Sequence, residues 1–351
     1  MKIKKLLFIF IIVLLSFTFG CKKKNTDPYI VDGISLEKKS IHTDAQDNFL
    51  NGNYGLALVY ANGKEEKSHP LPVKLTWDDA SKEQYSVYLS EKSDLSDAKT
   101  YIVNTNSIEI YNLKIHTPYF YKIDDGETKG FIVDDRIIRN LYIDGLTNAR
   151  DLGGYPLSDG SYTKQGMIIR LSRLNENEST ELLITQNGIN TLVNEFKIKA
   201  ELDLRKTENN ENGGITSSPL GDSVNFISFP MISGGNIILL NKDQLADLFK
   251  ILGDKNNYPM IMHCSIGTDR TGAVAFILNA LLGVNDDDLY YDYLFSNFAN
   301  IDGSRAKSTI DNYLNVIKSQ KGSSTSEKMY NYLLSVGVDK TDIDNFINIC
   351  K

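Results

Sequence analysis

Residues 34–135 carry short runs in which apolar and polar residues alternate, broken by turn residues at short intervals. Val73-Lys-Leu75-Thr-Trp77, Tyr85-Ser-Val87-Tyr-Leu89 and Ile108-Glu-Ile110 each put every second side chain on one face, and Phe120-Tyr-Lys-Ile123 follows. The pattern predicts an all-β sandwich over residues 34–137. From residue 138 the texture changes, and short apolar strands alternate with longer helical patterns, which predicts an α/β domain over 138–351. Ile168-Ile-Arg170, Ala200 to Arg205, Val224 to Phe229 and Met260-Ile-Met262 read as strands. A capped segment, Asn175 to Glu181, is expected to open a helix at Leu182, and Asp243 to Leu252 is amphipathic. Ala273 to Leu282 is apolar and rich in helix formers, with Gly283 as its stop. The C-terminal part reads as helices over Leu289–Ser296, Ala306–Gln320, Ser326–Ser335 and Lys340–Ile349.

The first twenty residues form a separate pattern. Lys2, Lys4 and Lys5 precede an apolar run from Leu6 to Phe19, too short for a spanning helix of about 20 residues. The run ends at Gly20-Cys21, which resembles a bacterial lipoprotein cleavage site with Cys21 as the lipidated residue. Residues 1–20 are therefore expected to be a signal peptide and 21–33 a polar tether, placing the protein at the cell envelope on a membrane anchor. A plain secreted form is the alternative. Composition then narrows the partners. Removing the signal leaves 35 basic against 45 acidic residues, which argues against nucleic acid. Three cysteines do not make a disulfide framework, and Cys350 is read as a free surface thiol or a partner for Cys264.

The chemistry concentrates at His263-Cys264-Ser265-Ile266-Gly267-Thr268-Asp269-Arg270-Thr271-Gly272, between the strand ending near Met262 and the helix from Ala273. A loop wrapping into a helix N-terminus points its N–H groups at one spot and adds the dipole's positive end. A nearby arginine with that dipole lowers a thiol from about 8.5 into the range of a working nucleophile. Arg270 presents a planar fork that grips two phosphate oxygens, and the Thr271 hydroxyl is placed to steady the sulfur. Ser265, Ile266, Gly267, Thr268, Asp269 and Arg270 are the candidate phosphate-binding residues, and no metal or cofactor is needed for attack by Cys264.

His263-Cys264-x5-Arg270-Thr271-Gly272 resembles the active-site loop of the protein tyrosine phosphatase superfamily. Asp269-Arg270 resembles its bacterial tyrosine and dual-specificity branch, whose loop reads Cys-x-x-Gly-Lys-Asp-Arg. Asn148-Ala-Arg150-Asp151-Leu-Gly153-Gly154, Leu202-Asp203-Leu204-Arg205 and Asp292-Tyr293-Leu-Phe-Ser296-Asn297 are similar to three further motifs of that branch, in order. The resemblance implies hydrolysis of phosphotyrosine, and of phosphoserine or phosphothreonine, through a phosphocysteine. The substrate is then a phosphorylated protein or a small phosphoester. It implies Asp269 as the acid for the leaving group, with Asp203 as rival and Asp151 behind them. Thr268 stands where the branch has lysine, which weighs against phosphoinositides. A small-molecule phosphomonoesterase and a non-catalytic binding lipoprotein are the other readings. Residues 34–137 resemble a fibronectin type III or immunoglobulin-like module, with Trp77 as its core tryptophan and Tyr119 at a tyrosine corner.

Overall fold

The computed structural model describes residues 29–351, so the signal segment and Cys21 lie outside the described residues. Eight strands make up the first part: β1 (Tyr29–Val31), β2 (Ile34–Lys39), β3 (Val73–Thr76), β4 (Tyr85–Ser90), β5 (Lys99–Val103), β6 (Ser107–Ile110), β7 (Thr117–Ile123) and β8 (Lys129–Val133). One sheet has the order β1-β2-β8-β7-β4-β5, and β3 pairs with β6 in a second. Alternate residues Val73, Leu75, Val87, Leu89, Tyr119, Phe131 and Val133 meet in one apolar cluster. The Tyr119 hydroxyl accepts a hydrogen bond from the Lys114 N–H at 2.8 Å. Trp77 is only half-buried, at the edge of this cluster against Tyr85.

Two expectations for this region need correction. The end of the expected tether is structured, since Tyr29–Val31 pairs antiparallel with β2. Nor is the stretch between β2 and β3 β-structure. It holds the helices Asp44–Leu50 and Ala57–Tyr60, whose Phe49, Leu50 and Ala57 join the core of the C-terminal domain. Capping explains the first helix: the Thr43 side chain and Gln46 form a reciprocal capping box. Where the chain passes between the two parts, Asp135 accepts from Ser40 Oγ (2.6 Å) and from the Ile41 N–H (3.0 Å). Buried His42 turns Nδ1 toward Asp135 (3.2 Å) and Asp47 (3.5 Å), and donates from Nε2 to the Ile138 carbonyl at 2.8 Å.

The C-terminal domain is built on β9 (Arg150–Asp151), β10 (Ile168–Leu171), β11 (Ala200–Asp203), β12 (Asn225–Ser228) and β13 (Met260–His263), in the order β12-β11-β13-β10-β9. All neighbours are parallel except β9, so four strands end on one side of the sheet. β10, β11 and β13 are buried at every residue, yet they include Arg170, Glu201, Asp203 and His263. Charged groups are almost never buried without partners, so these positions mark a networked site rather than plain core. The helix Asp269–Leu282 follows β13, is buried from Arg270 to Leu282, and closes on Gly283 in the left-handed conformation. Helices Ser308–Ile317, Thr325–Ser335 and Lys340–Cys350 contribute to the core around it. The helix expected at Leu182 does not form. Asn175 Nδ2 bonds the carbonyls of Glu176, Ser179 and Asn212, tying that segment into a loop, and the helix starts at Gln186 behind the Thr185 cap.

Candidate active site

Cys264 leaves the end of β13, and residues 265–268 curl from there into the N-terminus of Asp269–Leu282. The loop's carbonyls are drawn outward by side chains behind it. Arg173 donates to Ser265 O from Nη1 (3.1 Å), Asn148 Nδ2 donates to Ile266 O (3.1 Å), and Arg170 Nη2 donates to Gly267 O (2.8 Å). Among the described residues, nothing accepts from the N–H groups of Ser265 to Asp269. A cradle of unpaired N–H groups at a helix N-terminus is an anion site. Gly267 is required for this path: its φ is +66°, and a Cβ there would meet Leu171 O at 2.3 Å.

Burial alone would raise the Cys264 thiol. The charge of Arg270 and hydrogen bonds from the Thr271 hydroxyl and N–H outweigh it, and the thiol lies below its ordinary value. By hydrogen-bond geometry that hydroxyl has no partner among the described residues, which leaves it available to the sulfur. Arg270 is held by a residue the motifs did not suggest. Nη1 and Nη2 donate to the two oxygens of Glu211 at 2.9 and 2.5 Å, and Nη2 also reaches Ser265 Oγ at 3.2 Å. Burial would raise the Glu211 carboxyl, but bonds from Arg270, the Lys206 N–H and Ser265 bring it down to about 2. The pair fixes the fork's plane while leaving the Arg270 Nε–H without a protein acceptor among the described residues.

The two proposed acids have different surroundings. Asp269 opens the helix next to Arg270, partly exposed, with Arg305 Nε and Nη2 each 2.8 Å from one of its oxygens and the Tyr293 hydroxyl at 3.2 Å. Asp203 is buried, and its carboxylate is wrapped by Arg205 through Nε, Nη2 and the backbone N–H at 2.8–3.1 Å. Burial would raise that carboxyl, but the charges of His263 and Arg205 hold it low. Both carboxylates are paired with an arginine, and what separates them is burial: Asp203 is enclosed at the strand end, whereas Asp269 is partly exposed beside the loop. Asp151 is fully buried and spent on Arg139, Gly153 and Gly166. His263 is buried behind the loop against Glu201 (3.0 Å). Burial would lower it, but the charges of Asp203 and Glu201 and the Glu201 hydrogen bond hold it above its ordinary value.

Thr268, the residue that stands where the branch has lysine, turns its side chain inward. Its side chain is buried, accepting from Asn148 Nδ2 and donating to Ile266 O, so residue 268 is a strut of the loop. Beside the loop, cations come instead from Arg173 and Arg305. The entry and helical motifs meet behind it: Arg150 and Arg170 share Asp292 at 3.1 and 2.6 Å, and Asn148 and Arg150 both reach Ser296. Cys350 is a buried thiol rather than a surface one, pushed up to about 12 chiefly by burial. It lines a small cavity with Leu278 and Leu282, at the opposite end of the helix that Cys264 precedes. Glu211 and Arg305 lay outside every motif, because loop-to-loop pairs leave no periodic trace in sequence.

A Cupriavidus necator protein, named provisionally as a tyrosine-protein phosphatase, is 25% identical over 186 residues, covering 46% of this chain and 64% of its own length. The chain thus spans somewhat less than two thirds of that curated relative. Among solved structures, the core catalytic domain of a PP-IP phosphatase of S. cerevisiae matches at TM-score 0.30 and 20% identity, over 45% of this chain and 86% of its own. TpbA of P. aeruginosa matches at TM-score 0.30 and 16% identity, over 43% and 83%. Residues 141–348, more than half of the chain, match the family model described as the tyrosine phosphatase family, and the chain belongs to that family.

Proposed function

We propose that this protein is a cysteine-dependent phosphatase that hydrolyses phosphotyrosine and related aryl phosphates. The observation that carries the reading is Cys264 at the foot of a cradle of unpaired N–H groups, its thiol lowered by Arg270 and Thr271. The thiolate attacks phosphorus, the sulfur–phosphorus bond forms, and the ester oxygen–phosphorus bond breaks. Arg270 and the loop amides stabilise the equatorial oxygens. Asp269, the partly exposed carboxyl adjoining the loop, supplies the proton to the leaving oxygen and then takes one from the water that hydrolyses the phosphocysteine.

A second reading, a phosphomonoesterase for polyphosphorylated small molecules, draws on Arg173 and Arg305, which supply the cations that position 268 does not. A phosphate-release panel on the full chain separates the two, with phosphotyrosine peptides and inositol phosphates as substrates. The expected outcome is turnover of the peptides, inhibition by vanadate, and loss of turnover in Cys264→Ser with the fold retained. Turnover of inositol phosphates alone would favour the second reading, and an active Cys264→Ser protein would remove both.

A further inference from the structure

The segment between the helix Ala57–Tyr60 and β3 crosses the phosphatase domain as a strap, residues 62–68. It is bonded on one side to the loop that follows Ser296. Gly63 N–H donates to Asn297 O (2.7 Å), and Gly63 O accepts from Ile301 (3.0 Å) and Gly303 (3.1 Å). Lys67 N–H donates to Phe298 O at 2.6 Å, and the Glu66 carboxylate accepts from the Asn300 N–H at 3.2 Å. On its other side the strap holds the entry loop. Glu66 also accepts from the Thr147 hydroxyl, and Ser68 Oγ accepts from the Asn148 N–H at 3.2 Å.

Both of those loops touch the phosphate loop. Asn148 bonds Ile266 O and Thr268 Oγ1. Arg305 is locked to Asn297, N–H to Oδ1 at 2.7 Å and O to Nδ2 at 3.0 Å, and its guanidinium clamps Asp269. The contact at Gly63 admits no side chain. Its φ is +74°, and a Cβ would lie 2.2 Å from Gly303 O.

We propose that this strap, lent by the N-terminal region, is a positioning element of the active site that sets where Arg305 holds Asp269. The proposal rests on Asp269 as the acid. A bidentate arginine fixes a carboxylate in plane, so the place of Arg305 sets where the Asp269 oxygens point beside the phosphate loop. The strap thus makes the N-terminal region part of the catalytic geometry.

The test uses the full chain as Gly63→Ala, Arg305→Gln, their double variant and Asp269→Asn, with kcat and KM on aryl phosphates of good and poor leaving groups. Thermal unfolding is followed alongside. In folded Gly63→Ala we expect kcat on the poor leaving group to fall about tenfold with KM little changed. Adding Arg305→Gln to it should then cost less than about a further twofold, because coupled sites are not additive. If Gly63→Ala does not fold, Glu66→Gln takes its place in the same cycle with the same expected coupling. A folded strap variant with native kcat, or an Arg305→Gln loss of equal size in both backgrounds, overturns the strap's role while an impaired Asp269→Asn leaves the acid assignment standing. A fully active Asp269→Asn overturns both.

Discussion

At Cys264 two effects oppose each other. Burial disfavours the charged sulfur, while Arg270 and two donors from Thr271 favour it, and the direction of the shift shows that the second set wins. The rate of alkylation by iodoacetamide should therefore reach half its plateau below the pH of a free thiol, about 8.5. In Arg270→Ala the midpoint should move upward, both because the cation is gone and because Glu211 is left unpaired near the sulfur; an unmoved midpoint would contradict the assignment. Cys264 and Arg270 were legible in sequence because loop, strand and helix are contiguous there, so spacing alone fixes their relation. Glu211 and Arg305 were not, since each reaches the site from a loop 59 or 36 residues away by contact distance along the chain. The surroundings of Asp203 were hidden for a related reason. A carboxylate at a strand end looks available until its Arg205 partner, two residues on, is seen folded back over it.

Among elements, the strands and helices with strong periodicity match their sequence reading closely, as β4 (Tyr85–Ser90) and the helix Thr325–Ser335 show. The helices Asp44–Leu50 and Ala57–Tyr60 were missed because their apolar face is completed by another part of the chain. Their attachment has a pH signature at His42. Burial would lower its imidazole, but hydrogen bonds to Asp135 and Asp47 and the Asp135 charge raise it from 6.5 to about 9. A raised folded value means that the unfolded chain loses the proton first. The stabilisation is thus fully present below pH 6.5 and is lost as pH rises through about 9. Urea unfolding of the native chain and His42→Gln should show a gap in midpoints below pH 6.5 that closes above pH 9, and a gap that stays constant would contradict the ion pair.

Over the whole molecule, the sequence suggested two successive units, whereas the chain from Asp44 to Ser68 leaves the first and becomes part of the second. Composition changes at about residue 138, which is where it places the boundary. Contacts that cross such a boundary are invisible to composition. The consequence is a catalytic loop supported on all sides by distant sequence: β10 and the entry motif behind it, Glu211 on its arginine, Arg305 on its aspartate, and the strap outside them. That framework has meaning only if Cys264 carries the phosphoryl group during turnover. Acid quenching of the full chain in mid-reaction with an aryl phosphate, followed by peptide mass analysis, measures this directly. The predicted result is a phosphate adduct on the peptide bearing Cys264, accumulating in Asp269→Asn with a good leaving group and missing in Cys264→Ser. Turnover with no adduct on that peptide would contradict it.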